Sequence, residues 1–175
     1  MKDVIASVGT FLRNSQSSGV EFFNEAELQH ELGYWLRSKH SPGLRVFFER
    51  PTSSFFPSAQ GLVKKEIDLV VAPEDFSWHF AIELKCPRNG RIPDTLFDAC
   101  RDLQLLEQLV SAGFQGGLFL LHVTDPGFYR SAKSQTGIYS FFRGGEALTG
   151  NIAGPTKNNK NEVICLCNSY RVVWQ

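Results

Sequence analysis

Apolar residues recur at three- and four-residue intervals over the first forty positions and close into short runs beyond residue 44, so the chain opens helical and turns to strands. MKDVIASVGTFLRN reads as a short amphipathic helix, broken at Gly19. Asn24 then takes an N-cap position, with Glu27 at the third helical residue completing a capping box. From there NEAELQHELGYWLRSK sets Leu28, Leu32, Trp35 and Leu36 in one stripe, and Ser41-Pro42-Gly43 stops the helix. LRVFFER (44–50) predicts a strand rich in β-formers. The following PTSSFFPSAQG is long for a hairpin connection, and Phe55 and Phe56 in it read as exposed, which marks a candidate functional loop.

KKEIDLVVA and WHFAIELKC predict two strands joined by the turn-like Pro73-Glu74-Asp75. A helix follows from Pro93 to about Ala112, with Leu96, Cys100, Leu105, Leu109 and Val110 as its apolar side and Gly113 at its end. GLFLLHVT (117–124) predicts a buried strand. GIYSFF, EVICLC and YRVVW predict further strands, and GPTKNNKN a solvent-exposed loop. This order predicts a mixed α/β sheet covered on its faces, in one domain over 1–175, with a core over about 24–124 and a β-rich tail over 125–175. The pattern leaves the strand order open.

Composition changes this picture in two places. Lys plus Arg and Asp plus Glu both total 18, so bulk charge cannot grip a polyanion and any such contact needs a local patch. The four cysteines, Cys86, Cys100, Cys165 and Cys167, form no C-x-x-C pair, and no long apolar run or leader-like segment appears, so a cytoplasmic protein with reduced thiols is expected. Alternation places Cys165 and Cys167 on one strand face, which reads as core rather than as zinc ligands.

The two middle strands carry the candidate chemistry. Alternation sends Ile67, Leu69 and Val71 one way and Asp68, Val70 and Ala72 the other. A charged Asp in such an aliphatic strand is costly unless paired or bound to a cation. Glu83 and Lys85 share a face, opposite Ile82 and Leu84. Neighbouring strands would bring Asp68 and Glu83 together, and two such carboxylates repel unless one is protonated or a cation sits between them. The competing reading is a structural pair of Asp68 with Lys85 that leaves Glu83 at a sheet edge.

Asp68 in KKEIDLVV and Glu83-Leu84-Lys85 in AIELK resemble the PD-(D/E)XK nuclease superfamily, whose pattern is an acid late in one strand, then acid, any residue and lysine on the next. Ile67 stands where that pattern usually has proline. The superfamily order of helix, three strands, helix and strand also matches Asn24 to Thr124, whereas the tail has no counterpart. The resemblance implies a restriction endonuclease-like core in which Asp68, Glu83 and the Leu84 carbonyl hold Mg²⁺, replaceable by Mn²⁺, with Lys85 beside the scissile phosphate. It also implies a glutamate from the preceding helix. Glu25, three before Leu28 and seven before Leu32, is favoured over Glu31 on the other shoulder of the stripe, and Glu27 is accounted for by capping.

The expected function is therefore metal-dependent hydrolysis of DNA phosphodiester bonds, in restriction, defence or repair. Lys64, Lys65, Arg88, Arg91 and Arg101 flank the strands as candidate phosphate contacts. Glu49 reads as a solvated strand end, while Asp102 and Gln104 either support the site or face water. His30, His40, His79 and His122 form no ligand spacing. No helix-turn-helix or zinc-finger pattern is present, so specificity would fall to loops, a homodimer mate or an accessory protein. The rival expectation is a catalytically silent nuclease fold that binds nucleic acid or a protein partner.

Overall fold

A computed structural model of the chain describes residues 2–40, 42–56, 61–88, 91–130 and 135–174. Ser41 and the middle of the 51–61 loop, both singled out by the sequence, lie outside the described residues. The order is α1 (Lys2–Ser17), α2 (Glu25–His40), β1 (Leu44–Pro51), β2 (Glu66–Pro73), β3 (Phe80–Lys85), α3 (Ile92–Ser111), β4 (Gly116–Leu121), α4 (Ile138–Phe142), β5 (Leu148–Ala153) and β6 (Val163–Tyr170). This is a mixed α+β architecture. Four strands form one sheet in the order β1-β2-β3-β4, antiparallel between the first three and parallel between β3 and β4. The parallel step is possible because α3 carries the chain back across the sheet. Among the described residues no helix is long and apolar enough to cross a membrane.

α2 starts where its cap chemistry dictates. The Asn24 side chain accepts the Glu27 N–H at 2.8 Å, and the Glu27 carboxylate reaches back to the Phe23 N–H, one residue earlier than a standard capping box. Leu28, Leu32 and Leu36 are fully buried and pack with Leu69, Val71, Ile82 and Leu84 on one face of the sheet. Trp35 is half-buried and donates its indole N–H to the Ser7 carbonyl at 3.1 Å, which ties α1 to α2. Gly33 is required for closeness here, since a Cβ would stand 2.3 Å from the Phe48 ring of β1.

α3 covers the other face. Leu105, Leu106 and Leu109 pack on Val70 and Ala81, while Leu96, Phe97, Ala99 and Cys100 pack on the tail. Val110, expected in the apolar side, is 46% exposed because its part of the helix borders an apolar hollow of about 420 Å³ instead of packed strand. β4, expected to be buried, is a half-buried edge strand flanking the same hollow. Phe55 and Phe56 are not exposed: both are half-buried and their rings lie 5.3 Å and 5.6 Å from that of Phe114.

The tail departs most from the sequence pattern. GIYSFF is the short helix α4 rather than a strand, entered from Gly137 at φ 60°, and a short apolar run cannot by itself distinguish the two. LTGNIA, not singled out by alternation, is β5 and pairs antiparallel with β6. YRVVW contributes only Tyr170 to a strand. Cys165 and Cys167 are exposed, not core, because Ile164 and Leu166 take the inward face of β6. β6 is fastened to α3 by Glu107, whose buried carboxylate accepts the N–H groups of Cys167 (2.8 Å) and Asn168 (2.7 Å) and the Tyr170 hydroxyl (3.0 Å). Glu107→Ala strands those donors and should cost about 3 kcal/mol, the scale of hydrogen bonds to a charged group. Denaturant unfolding combined with hydrogen exchange checks this, with loss of protection centred on 163–170.

Candidate active site

The acids meet where the β2–β3 ladder gives out. The paired residues run Val71↔Phe80, Val70↔Ala81 and Leu69↔Ile82, and continuing that register sets Asp68 opposite Glu83. There the carboxylates replace backbone partners: Asp68 Oδ2 accepts the Leu84 N–H at 2.7 Å, and Glu83 Oε1 accepts the Asp68 N–H at 3.2 Å. On the opposite side of β2, Glu49 takes a positive φ of 46° between the pairs Phe48↔Leu69 and Arg50↔Ile67, an uncommon conformation for a residue with a side chain. Both ladders are thus distorted at the level of Asp68. The distortion also overturns the expected alternation: Ile67 is buried with Val70 on the α3 side, not with Leu69 and Val71.

Glu83 is completely buried. Its cation is Lys64, whose ammonium contacts Glu83 Oε2, lies 2.9 Å from Asp102 Oδ1 and 3.9 Å from Asp68 Oδ1. Lys85 lies 2.9 Å from the other Asp102 oxygen. Asp102, at 2% exposure, therefore bridges the two lysines. Glu25 comes from α2 on the far face of the sheet, and its Oε2 accepts the Cys86 N–H at 3.3 Å, just past Lys85. Gln29, one turn along α2, donates to the Asp68 carbonyl at 2.7 Å. Four carboxylates and two lysines share one end of β3. The structural pair of Asp68 with Lys85 is not what forms: Lys85 takes Asp102, and Glu83 lies inside instead of at an edge.

The electrostatics follow from burial. Burial, with Asp68 adding and Lys64 opposing, pushes the Glu83 carboxyl up to about 8. Asp68 is also raised, by burial against the pull of Lys64, and Glu25 is raised by burial against the pull of Lys85. Burial alone would lower both lysines, but Glu83 and Asp102 hold Lys64 above its ordinary value and Asp102 does the same for Lys85.

The remaining sequence candidates separate clearly. Glu31 and Glu49 are exposed. Lys64 is no surface phosphate contact but the centre of the cluster. Arg101 is engaged by Asp98 and by Glu162 at 2.7 Å, so it is not a free phosphate contact. Lys65, Arg88 and Arg91 remain exposed, with the Arg88 guanidinium 3.2 Å above the Phe23 ring. Gln104 does not support the site; it donates to the Cys165 carbonyl at 3.2 Å. Sequence reasoning left Asp102 undecided and did not select Gln29, although both sit three, four and seven residues before members of an apolar stripe: Leu105, Leu106 and Leu109 for one, Leu32, Gly33 and Leu36 for the other.

Among the described residues no group of three or more His, Cys, Asp or Glu side chains stands ready as a metal ligand set, and the Lys64 ammonium lies among the acids. The donor chemistry nevertheless fits a hard cation: carboxylate oxygens, plus the Leu84 carbonyl, which points to the same side of β3 as the N–H held by Asp68. No family model matches the chain, and no curated protein or solved structure matches it significantly.

One consequence is a pH dependence of the metal-free protein. The folded state keeps the Glu83 proton up to about pH 8, whereas the unfolded chain releases it near the ordinary glutamate value. Between the two the folded state binds the extra proton, so stability falls as pH rises; Glu25 and Asp68 act in the same direction. In EDTA, the urea midpoint should decline from about pH 5 to about pH 8, and Glu83→Gln should flatten most of that decline. A midpoint in the wild type that rises over this range contradicts the assignment.

Proposed function

We propose that the chain is a metal-dependent nuclease that hydrolyses DNA phosphodiester bonds on a restriction endonuclease-like core. The observation that carries this reading is the convergence of Asp68, Glu83 and Asp102 on a single ammonium, with a second lysine, Lys85, on the same buried acid. Such an arrangement is built to neutralise a cation in a confined place. The order α2, β1, β2, β3, α3, β4 along the chain supports this reading, since it is the helix, three strands, helix and strand that the resemblance implies.

In this reading Asp68, Glu83 and the Leu84 carbonyl hold Mg²⁺ or Mn²⁺, and Glu25 is the helix acid. The bound ion would acidify a water and neutralise phosphate charge. Lys85, oriented by Asp102, places its ammonium to steer that water and to stabilise charge developing on the phosphate. Lys65, Arg88 and Arg91 supply local positive charge that the neutral chain lacks in bulk. Restriction, defence or repair in the cytoplasm, with specificity from a second copy or an accessory protein, is the setting by analogy. The rival, a silent nucleic-acid-binding or interaction module, draws on the lysine at the centre of the acids.

Incubation with plasmid, single-stranded DNA and RNA, in Mg²⁺, Mn²⁺ or EDTA, separates the two. Cleavage of DNA in metal and none in EDTA supports the nuclease; intact substrates throughout support the rival. Glu83→Ala and Lys85→Ala should each lower the rate by at least roughly 10²–10³. Undiminished nicking by Lys85→Ala would sink the mechanism. A further comparison assigns the helix acid: Glu25→Gln should weaken metal binding and cleavage, whereas the exposed Glu31→Gln stays near wild type.

A further inference from the structure

We propose that Lys64 is a tethered stand-in for the metal: its ammonium fills the cation's place among Asp68, Glu83 and Asp102, and a divalent ion enters by displacing it. This rests on the nuclease reading above for the identity of the ion.

Three observations carry it. The first is position. Lys64 contacts Glu83, is 2.9 Å from Asp102 and 3.9 Å from Asp68, so a bound ion shared by the strand acids would have to occupy the same space. The second is need. Three acids converge here in the metal-free protein, and even while Glu83 keeps its proton Asp68 and Asp102 need a positive neighbour, with Lys85 directed to the other oxygen of Asp102.

The third is the tether. Backbone on both sides of Lys64 is clamped: the Val63 N–H donates to Gln108 Oε1 at 2.9 Å, Gln108 Nε2 donates to the Gly61 carbonyl at 3.3 Å, and the Lys65 carbonyl accepts both the N–H (2.8 Å) and the hydroxyl (3.1 Å) of Thr52. The main chain is fixed while the four-carbon stem is free to swing. The Lys64 side chain keeps 26% exposure, so it has an open side towards which to move.

The test uses wild-type protein and its neighbouring lysine as internal control. Mg²⁺ binding is measured by calorimetry, and amine-reactive labelling is quantified peptide by peptide in EDTA and in saturating Mg²⁺. Lys64 should be protected in EDTA and label several-fold faster in Mg²⁺, while exposed Lys65 labels equally in both. Calorimetric binding with unchanged Lys64 labelling overturns the proposal and leaves the metal site standing. Lys64→Met should be less stable than wild type in EDTA and gain more thermal stability from Mg²⁺. If Mg²⁺ binds Lys64→Met but not wild type, the lysine is a permanent occupant: the stand-in holds and displacement fails. Binding to neither overturns both the proposal and the metal-dependent reading.

Discussion

A carboxylate without exposed surface has to be answered by positive charge or kept protonated, and Glu83 imposes that demand on everything around it. The surrounding structure meets it in layers. Lys64 supplies the charge, Asp102 holds Lys64 from behind, and the Asp68 backbone N–H satisfies the second oxygen. The cost appears in the sheet itself. β2 and β3 give up regular pairing at Asp68, β1 answers with a positive φ at Glu49, and Ile67 turns to the opposite face. A protein needing only a stable sheet would place an aliphatic residue at 83 and keep its ladders. Retaining the acid is a local expense of the kind associated with function rather than folding.

The two helical layers make that expense tolerable from opposite sides. α2 contributes Glu25 and Gln29 to the ends of β3 and β2, and α3 contributes Asp102. Each of these polar residues lies beside an apolar stripe of its helix, so packing of the leucines fixes where it points. Positioning by packing leaves little rotamer freedom, which is the condition for a preorganised site.

How much of this could be read from the chain depends on whether the signal was local. The Asn24 cap and the Leu28-Leu32-Leu36 stripe are written in short-range pattern and appear as expected, and the strands expected over 44–50 and 64–72 are found over 44–51 and 66–73. The opposition of Asp68 and Glu83 also followed, because two adjacent strands with a short turn have few registers. Lys64 was legible as a charge near the site but not as its centre, since its direction is set by Gln108 and Thr52, forty-four residues later and twelve earlier in the chain. GIYSFF failed because so short a largely apolar run satisfies helix and strand equally, and its helix is chosen by packing in the tail. β5 was missed since the middle of its three inward positions is Gly150, at φ 70°, so only Leu148 and Ile152 mark its buried face in the sequence.

The tail, which the superfamily resemblance leaves without a role, bears on the same constraint. α3 does not rest on the sheet alone, because Leu96, Phe97, Ala99 and Cys100 pack with the tail, joined from the sheet by Phe119 and Leu121 of β4, and would otherwise expose an apolar strip. β5, β6 and α4 cover that strip, and Glu107 ties β6 to the helix through three hydrogen bonds. Asp102 lies between these two sets of contacts, one turn before Leu105 and Leu106. Its place relative to Lys64 and Lys85 is therefore set by the sheet on one side and the tail on the other. The second sheet acts on the acids at a distance, by holding the helix that carries the bridging carboxylate.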